Sequence, residues 1–135
     1  MQDRPDLDAM LDALARFLDQ EAVPACSDPA VAFRLRIAAH LSAMAAREVR
    51  HETRNDAAEL DALETLLGVG EAVIGPDRSD RQSRRQAIRG LERLLCEQIA
   101  DGSVNADATF ATLRANLRRK LEVANPRFDL RDELP

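Results

Sequence analysis

The sequence predicts an all-α fold, a single-domain bundle of about five helices with the second helix central. Aromatic residues make up 3% of the 135 residues, with no Trp or Tyr, and a core of alanine, leucine and isoleucine suits closely packed helices better than sheets. Apolar residues recur at helical spacing, and no strand-like alternation is present. A chain of this length can bury one core without disulfides or a metal. We therefore predict one domain over 1–135, with a core at about 6–125 and a C-terminal clasp at 125–135.

The first two helices are predicted from apolar spacing and capping residues. Asp6 stands before "LDAMLDALARFL", where apolar residues recur at i, i+3, i+4 and i+7. A second helix is expected from Pro29 to about Thr53, with Asp28 as its N-cap. Apolar residues line two of its sides, so we expect neighbours on both and place it at the centre of the bundle. These two stripes are Phe33, Ile37, Leu41 and Met44, and Val31, Leu35, Ala38, Ala45 and Val49.

The segment "NDAAELDALETLLG" predicts a third helix that ends at Gly68, a residue suited to a left-handed cap. The stretch that follows, "VGEAVIGPDRSD", is punctuated by glycines and forms the longest connection, with one short turn expected at 71–74. Ser79 and Gln82 then form a capping-box pattern for a fourth helix, which should stop at Gly102.

A fifth helix is predicted between Asp107 as its cap and Pro126, which must end it. A narrow apolar stripe along this helix is expected to face the core. It consists of Phe110, Leu113, Leu117, Leu121 and Ala124.

The charge and cysteine content exclude several classes of protein. Nineteen basic and 24 acidic residues leave a net charge of -5, which gives no reason to expect a nucleic-acid partner. Cys26 and Cys96 lie too far apart for a zinc knuckle or a redox motif, and two free thiols favour a reducing compartment. The N-terminus lacks an apolar signal region, and no later stretch is long and apolar enough to span a membrane. We expect a soluble cytoplasmic protein with no membrane partner.

The most unusual polar groups lie on the second helix. A helical wheel places Arg36, His40 and Arg47 within ~40° of one another, whereas Glu48 lies on an apolar side and needs a cationic partner. This basic strip has two interpretations. The residues pair with neighbouring helices at the edge of the bundle, or they form a pocket for an anion.

No catalytic or metal site is predicted. Glu48 and His51 have the ExxH spacing of di-iron bundle proteins, but the second such motif is missing. His40 lies eleven residues before His51, roughly 16 Å along the helix axis, so the two histidines are too far apart to bind one ion. No nucleophile motif or glycine-rich phosphate loop is present. We predict no cofactor, and an enzyme is less favoured than a binding protein.

Two further sets of polar residues are candidates for binding. Four arginines near the start of the fourth helix could hold a phosphate, or could simply be solvated: Arg81, Arg84, Arg85 and Arg89. At the other end of the chain, "KLEVANPRFDL" predicts a clasp. Phe128 would cover the end of the bundle, Asn125 would satisfy local backbone groups, and Arg127 or Lys120 would neutralise Glu48 or a helix C-terminus. The alternative role for this segment is contact with a ligand or a partner.

The order of four segments, "DRPDLDAMLDALARFL", "FRLRIAAHLSAMAAREV", "LLG" and "LRRKLEVANPRF", resembles a bacterial family of small proteins with a domain of unknown function. Its members are often encoded beside aminoglycoside-phosphotransferase-like kinases and acyl-CoA dehydrogenases. The most specific matching residues are Arg36, the Arg47-Glu48 pair, Lys120 and the close at 125–127. The resemblance implies a helical accessory protein in acyl-CoA or related carboxylate metabolism, and it implies no active site.

Two functions are therefore predicted. The first is a non-catalytic interaction protein that binds a kinase-like or dehydrogenase partner, with a homodimer also possible. The alternative is a module that binds a small phosphate- or carboxylate-bearing molecule such as an acyl-CoA. The candidate residues for either role are Arg36, His40, Arg47, Glu48, Lys120, Asn125 and Arg127.

Overall fold

A computed structural model describes residues 4–70 and 79–128, and all the regular secondary structure in these residues is helical. This confirms the all-α class. Four helices longer than one turn lie in this part of the chain, against about five predicted. The expected turn at 71–74 and the clasp residues 129–135 lie outside the described residues. The elements in order are α1 (Leu7–Phe17), a π-helical segment (Leu18–Ala22), the short α2 (Val23–Ala25), α3 (Pro29–Leu67), α4 (Arg81–Asp101) and α5 (Ala106–Ala124).

The predicted second and third helices are one continuous helix, α3, of 39 residues. The expected break between Thr53 and Asn55 is therefore wrong. Between Pro29 and Gly68 the chain contains neither glycine nor proline. Asn55 and Asp56 carry only a weak helix penalty, below about 1 kcal/mol each, which is too small to interrupt a helix that buries leucines further on.

The start of α3 and two helix ends follow the sequence prediction. Asp28 accepts hydrogen bonds from the backbone N–H of Ala30, at 2.8 Å, and of Val31, at 3.3 Å. Gly68 and Gly102 have φ of 64° and 75°, the left-handed conformation in which glycine avoids a steric clash of Cβ.

Two predicted caps are wrong by one or two residues. The Asp80 side chain, not that of Ser79, caps α4 by accepting from the backbone N–H of Ser83 at 2.7 Å. Asn105, not Asp107, caps α5 by accepting from the N–H of Ala108 at 2.9 Å. Asp and Asn are at least as good N-caps as Ser, so the first suitable residue before each helix takes the position.

The chain comprises two compact units, Met1–Glu52 and Thr53–Pro135, and the boundary between them falls within α3. In the first unit the buried residues of α3 are small. They are three alanines spaced by seven positions, Ala32, Ala39 and Ala46. The expectation that both large apolar stripes of this helix are packed is wrong. Their members Phe33, Ile37 and Leu41 are exposed, as are Val31 and Val49.

The second unit has a conventional leucine-rich core. Its buried cluster joins the C-terminal part of α3 to α4 and contains Leu60, Leu63, Ile88, Leu91 and Leu95. Helix α5 behaves differently from the prediction, because Phe110, Leu113 and Leu117 are exposed. The residues it buries instead are Thr109, Asn116 and Val123.

Candidate functional site

Helix α1 presents an apolar stripe to solvent. Leu7, Met10, Leu14 and Phe17 are between 46% and 54% exposed, and their spacing of three and four residues places them on one side of the helix. The buried residue of α1 is Ala15, on a different side. The sequence correctly identified this stripe as apolar, but the first unit does not cover it. We call these four residues the α1 stripe.

An ion-pair cluster holds α1 against α3 within the first unit. Arg50 of α3 donates from Nε to Asp8 at 3.0 Å and from Nη2 to Asp12 at 2.6 Å. The hydrogen bonds to Asp12 and Asp8 raise the pKa of Arg50 above its already high value. The two aspartates are one turn apart on α1, so one guanidinium fixes the rotation of that helix about its axis. This rotation turns the α1 stripe outward.

The predicted basic strip is found on the surface of α3 in the first unit. Arg36 and His40 are exposed and stand one turn apart, while Arg47 and Glu48 are half-buried. The strip thus runs along one helix. Its role as an anion pocket stays a prediction.

Lys120 is bound to carboxylates in the second unit. Its Nζ donates to Glu59 Oε1 at 2.8 Å and lies 3.9 Å from Glu92 Oε1. Glu59 is the nearer and more shielded partner, with a side chain 13% exposed. Lys120 therefore links α5 to α3, with α4 alongside. A paired ammonium is a weaker candidate for binding an external anion than an unpaired one.

A cavity of about 360 Å³ in the second unit gathers three arginines that the sequence did not bring together. It is lined by Arg54 of α3 and by Arg118 and Arg119 of α5, with Glu122 as the only acidic side chain. Arg119 also donates to Asn116 at 2.7 Å. No sequence motif relates Arg54 to the other two, because α3 and α5 meet only in the folded chain.

A larger cavity of about 520 Å³ lies between the same two helices. Its polar lining consists of Asp61, Thr65, Asn105 and Thr112, without a basic residue. The arginine cavity is the better candidate for an anionic ligand.

Arg84, one of the four arginines predicted as a phosphate site or a solvated face, is buried. Its side chain is 7% exposed, and its Nε lies 3.7 Å from Asp56 Oδ2. Its Nη1 donates to the backbone carbonyl of Ser79 at 2.7 Å. Both expectations are therefore wrong for Arg84, which acts in the interior of the unit. Arg81 and Arg89 are exposed and Arg85 is half-buried.

The C-terminal candidates lie directly after α5. The backbone N–H of Asn125 donates to the carbonyl of Leu121 at 2.7 Å. The carbonyl of Asn125 accepts from the backbone N–H of Phe128 at 3.0 Å. Arg127 is exposed, and Phe128 is 40% exposed. These hydrogen bonds are made by the backbone of Asn125, and the predicted role of its side chain stays a prediction.

The described residues, 4–70 and 79–128, contain neither a metal-binding group nor a membrane-spanning helix. No group of three or more His, Cys, Asp or Glu residues there is arranged to hold a metal ion. In the same part of the chain, no helix combines the length and the apolar character that crossing a bilayer requires.

Comparison with known proteins adds a family and no activity. Neither the curated proteins nor the solved structures gave a match to this chain. A family model described as a domain of unknown function, DUF6285, matches residues 24–128. This range contains every candidate residue named for the two predicted functions, and it covers more than half of the chain. The chain therefore belongs to the DUF6285 family.

Proposed function

We propose that this chain is a non-catalytic interaction protein that docks onto a partner protein through α1. The observation that carries the proposal is the α1 stripe. Four large apolar side chains, each about half exposed, stand at positions 7, 10, 14 and 17 of α1. This is the spacing of anchors by which a helix binds a groove on another protein. Contiguous exposed apolar patches mark such sites.

The charges around the stripe define the partner. Among residues 7–25, Arg16 is the only basic residue, whereas the acidic ones are Asp8, Asp12, Asp19 and Glu21. Arg50 pairs with the first two aspartates, and Asp19 and Glu21 lie at one end. A complementary partner has an apolar groove with a basic rim beside that end.

The family resemblance nominates the first partners to test. We propose a phosphotransferase-like kinase or an acyl-CoA dehydrogenase, with the complex formed in the bacterial cytoplasm. An accessory role fits a sequence in which no catalytic motif is recognised. Arg36, His40, Arg47 and Glu48 would then help to stabilise or extend the docked surface.

The test is native mass spectrometry of the protein purified gently from its own cells, with the same experiment on two variants. Wild-type protein should carry a stoichiometric kinase-like protein or dehydrogenase. Met10→Glu with Leu14→Glu should lose it, because charges would be buried in an apolar groove. Measured with the purified pair, affinity should fall at least about 100-fold.

Ala9→Glu is the control for the type of charge, since it adds one glutamate to an exposed position on another side of α1. It should keep the partner. Circular dichroism and melting should show both variants folded. The proposal is wrong if the protein emerges without a partner protein, or if the double variant retains that partner in the wild-type ratio.

A second function, binding of a small phosphate- or carboxylate-bearing molecule, is favoured by the arginine cavity. Arg54, Arg118 and Arg119 place three guanidinium groups around about 360 Å³, and guanidinium groups match the geometry of phosphate and carboxylate oxygens. Lys120 contributes less than the sequence indicates, because Glu59 already binds it.

The measurement for this alternative is calorimetric titration with coenzyme A and, separately, with inorganic phosphate. Arg54→Gln should weaken binding of coenzyme A about tenfold, since it removes one charged hydrogen-bond donor from the cavity. Arg93→Gln, an equal loss of charge at an exposed position of α4 outside the cavity, should bind like wild type. This site would be excluded if wild-type protein gave no heat of binding. It would also be excluded if Arg54→Gln and Arg93→Gln lost affinity for coenzyme A equally.

A further inference from the structure

Helix α5 leaves an apolar side exposed to solvent instead of burying it against its own unit. Its exposed residues include Phe110, Leu113 and Leu117, at 63%, 45% and 47%. They follow one another at intervals of three and four residues and so form a continuous stripe on one side of the helix. We call these three residues the α5 stripe. The second unit leaves this stripe in contact with water, at a cost that a covering surface would remove.

The polar residues on the buried side of α5 are hydrogen-bonded. Thr109 donates to the carbonyl of Asn105 at 2.8 Å, and Asn116 accepts from Arg119 at 2.7 Å, so these two buried polar residues are hydrogen-bonded. Lys120 ties the same helix to Glu59 of α3 at 2.8 Å. The first two hydrogen bonds lie within α5 and its cap, but turning α5 about its axis to bury its leucines would break the Lys120–Glu59 pair and carry Thr109 and Asn116 away from their buried positions. The outward direction of the α5 stripe is therefore built into the unit.

We infer that the α5 stripe is the interface of a symmetric homodimer, in which α5 packs antiparallel against α5 of a second copy. Leu113 lies at the two-fold axis and contacts the same residue of the other copy. Phe110 is three residues before this centre and Leu117 four after it. Phe110 of each copy therefore lies opposite Leu117 of the other copy. The two are offset along the helix axis by about one residue, a rise of 1.5 Å.

The charges that flank the stripe complement each other in the same register. Asp107 lies six residues before Leu113 and Arg118 five after it, and both are on the same side of the stripe, within ~20° on a helical wheel. In an antiparallel pair that side faces its own counterpart. Asp107 of each copy therefore meets Arg118 of the other, giving two symmetry-related ion pairs. Arg114, on the same side, is half-buried in its own unit.

The size of the stripe sets the strength of the dimer. The exposed parts of its three side chains amount to roughly 300 Å² of apolar surface per copy, taking about 200 Å² for a whole aromatic or leucine residue. Since about 60% of an interface is apolar, the dimer buries on the order of 1,000 Å² in total. This lies at the low end for specific interfaces. The dimer should therefore be reversible and dissociate at micromolar concentrations.

This inference does not depend on the docking role of α1, because it concerns another helix in the other unit. The test is sedimentation velocity of the full-length protein between roughly 1 and 200 μM, a range that brackets a micromolar dissociation constant. Wild-type protein should shift from monomer to dimer across this range. Met10→Glu with Leu14→Glu should dimerise as wild type does, which separates the two proposals.

Charge reversal tests the register without touching an apolar residue. Asp107→Arg alone and Arg118→Asp alone should each raise the dissociation constant about tenfold, because two like-charged contacts replace two attractive ones. The two substitutions together should restore it to within about threefold of wild type. Leu113→Glu should abolish the dimer, and Ala108→Glu, at an exposed position on the side of α5 opposite the stripe, should not.

Three outcomes would overturn the inference. The first is a wild-type monomer at every concentration, which would mean that another part of the chain or a different protein covers the stripe. The second is a dimer that Leu113→Glu leaves intact. The third is a double charge reversal that dimerises no better than the single ones, a result that holds even if Leu113→Glu fails to fold.

Discussion

Arg84→Met is expected to lower the free energy of unfolding by about 3 kcal/mol or more. Arg84 is buried and Asp56 is largely shielded, with side chains 7% and 14% exposed and Nε 3.7 Å from Oδ2. Methionine approximates the volume of the arginine stem but removes the ion pair between Arg84 and the largely shielded Asp56 carboxylate. It also removes the donor to the carbonyl of Ser79. Urea unfolding followed by circular dichroism measures the change.

Two further variants identify the cause. Arg89→Met removes the same charge from an exposed position of α4 and should change the free energy of unfolding by less than about 0.5 kcal/mol. Adding Asp56→Leu to Arg84→Met should recover part of the loss, because an apolar pair needs no charge compensation in a buried site. Equal stabilities of Arg84→Met and Arg89→Met would show that Arg84 is solvated in solution.

Leu63→Ala should lower the free energy of unfolding by about 3 kcal/mol, within the usual range of 2–5 for a buried leucine. Leu63 is 1% exposed and belongs to the cluster that joins α3 to α4. Its removal leaves a cavity that the surrounding leucines fill only in part. Thermal and urea unfolding both report this loss.

Leu113→Ala is the matched control, the same chemical change at a residue 45% exposed. At a protein concentration low enough to keep the chain monomeric, it should cost less than about 1 kcal/mol. Equal measured losses would mean that the second unit buries the α5 stripe after all.

Most of the helices could be predicted from the sequence because helical spacing, caps and terminators are local signals. Asp28, Gly68, Gly102 and Pro126 each act on residues within one turn. The continuity of α3 past Asn55 could not be predicted in this way. The helix continues because the low helix propensity of Asn55 and Asp56 costs less free energy than the burial of leucines further along α3 gains, and that burial depends on residues distant in the sequence.

The directions of the apolar stripes on α5 and on the N-terminal part of α3 were predicted wrongly, and the cause is general. Periodicity shows which side of a helix avoids water, but it does not show what covers that side. On α5 the side that contacts its own unit is selected by Lys120, which pairs with Glu59 of α3. On α1 it is selected by Arg50. These are long-range pairings that a single sequence does not specify.

The candidate site was predicted only in part for the same reason. Arg36, His40 and Arg47 could be grouped because they share one helix. The Arg54, Arg118 and Arg119 cavity could not, since it forms where residues more than sixty positions apart converge. Arg84 was misassigned because a charged residue is rarely buried, and its compensating partner, Asp56, lies on another helix.

The buried alanines of α3 have a consequence for mutational scanning. Ala32, Ala39 and Ala46 are buried, yet an alanine scan passes over them, since they cannot be shortened to alanine. Such a scan would rate this part of the first unit as tolerant. Saturation mutagenesis would find the opposite, with larger side chains rejected at every seventh position, because close-packed interiors accept added volume poorly. The constraint on this helix is an upper limit on side-chain size.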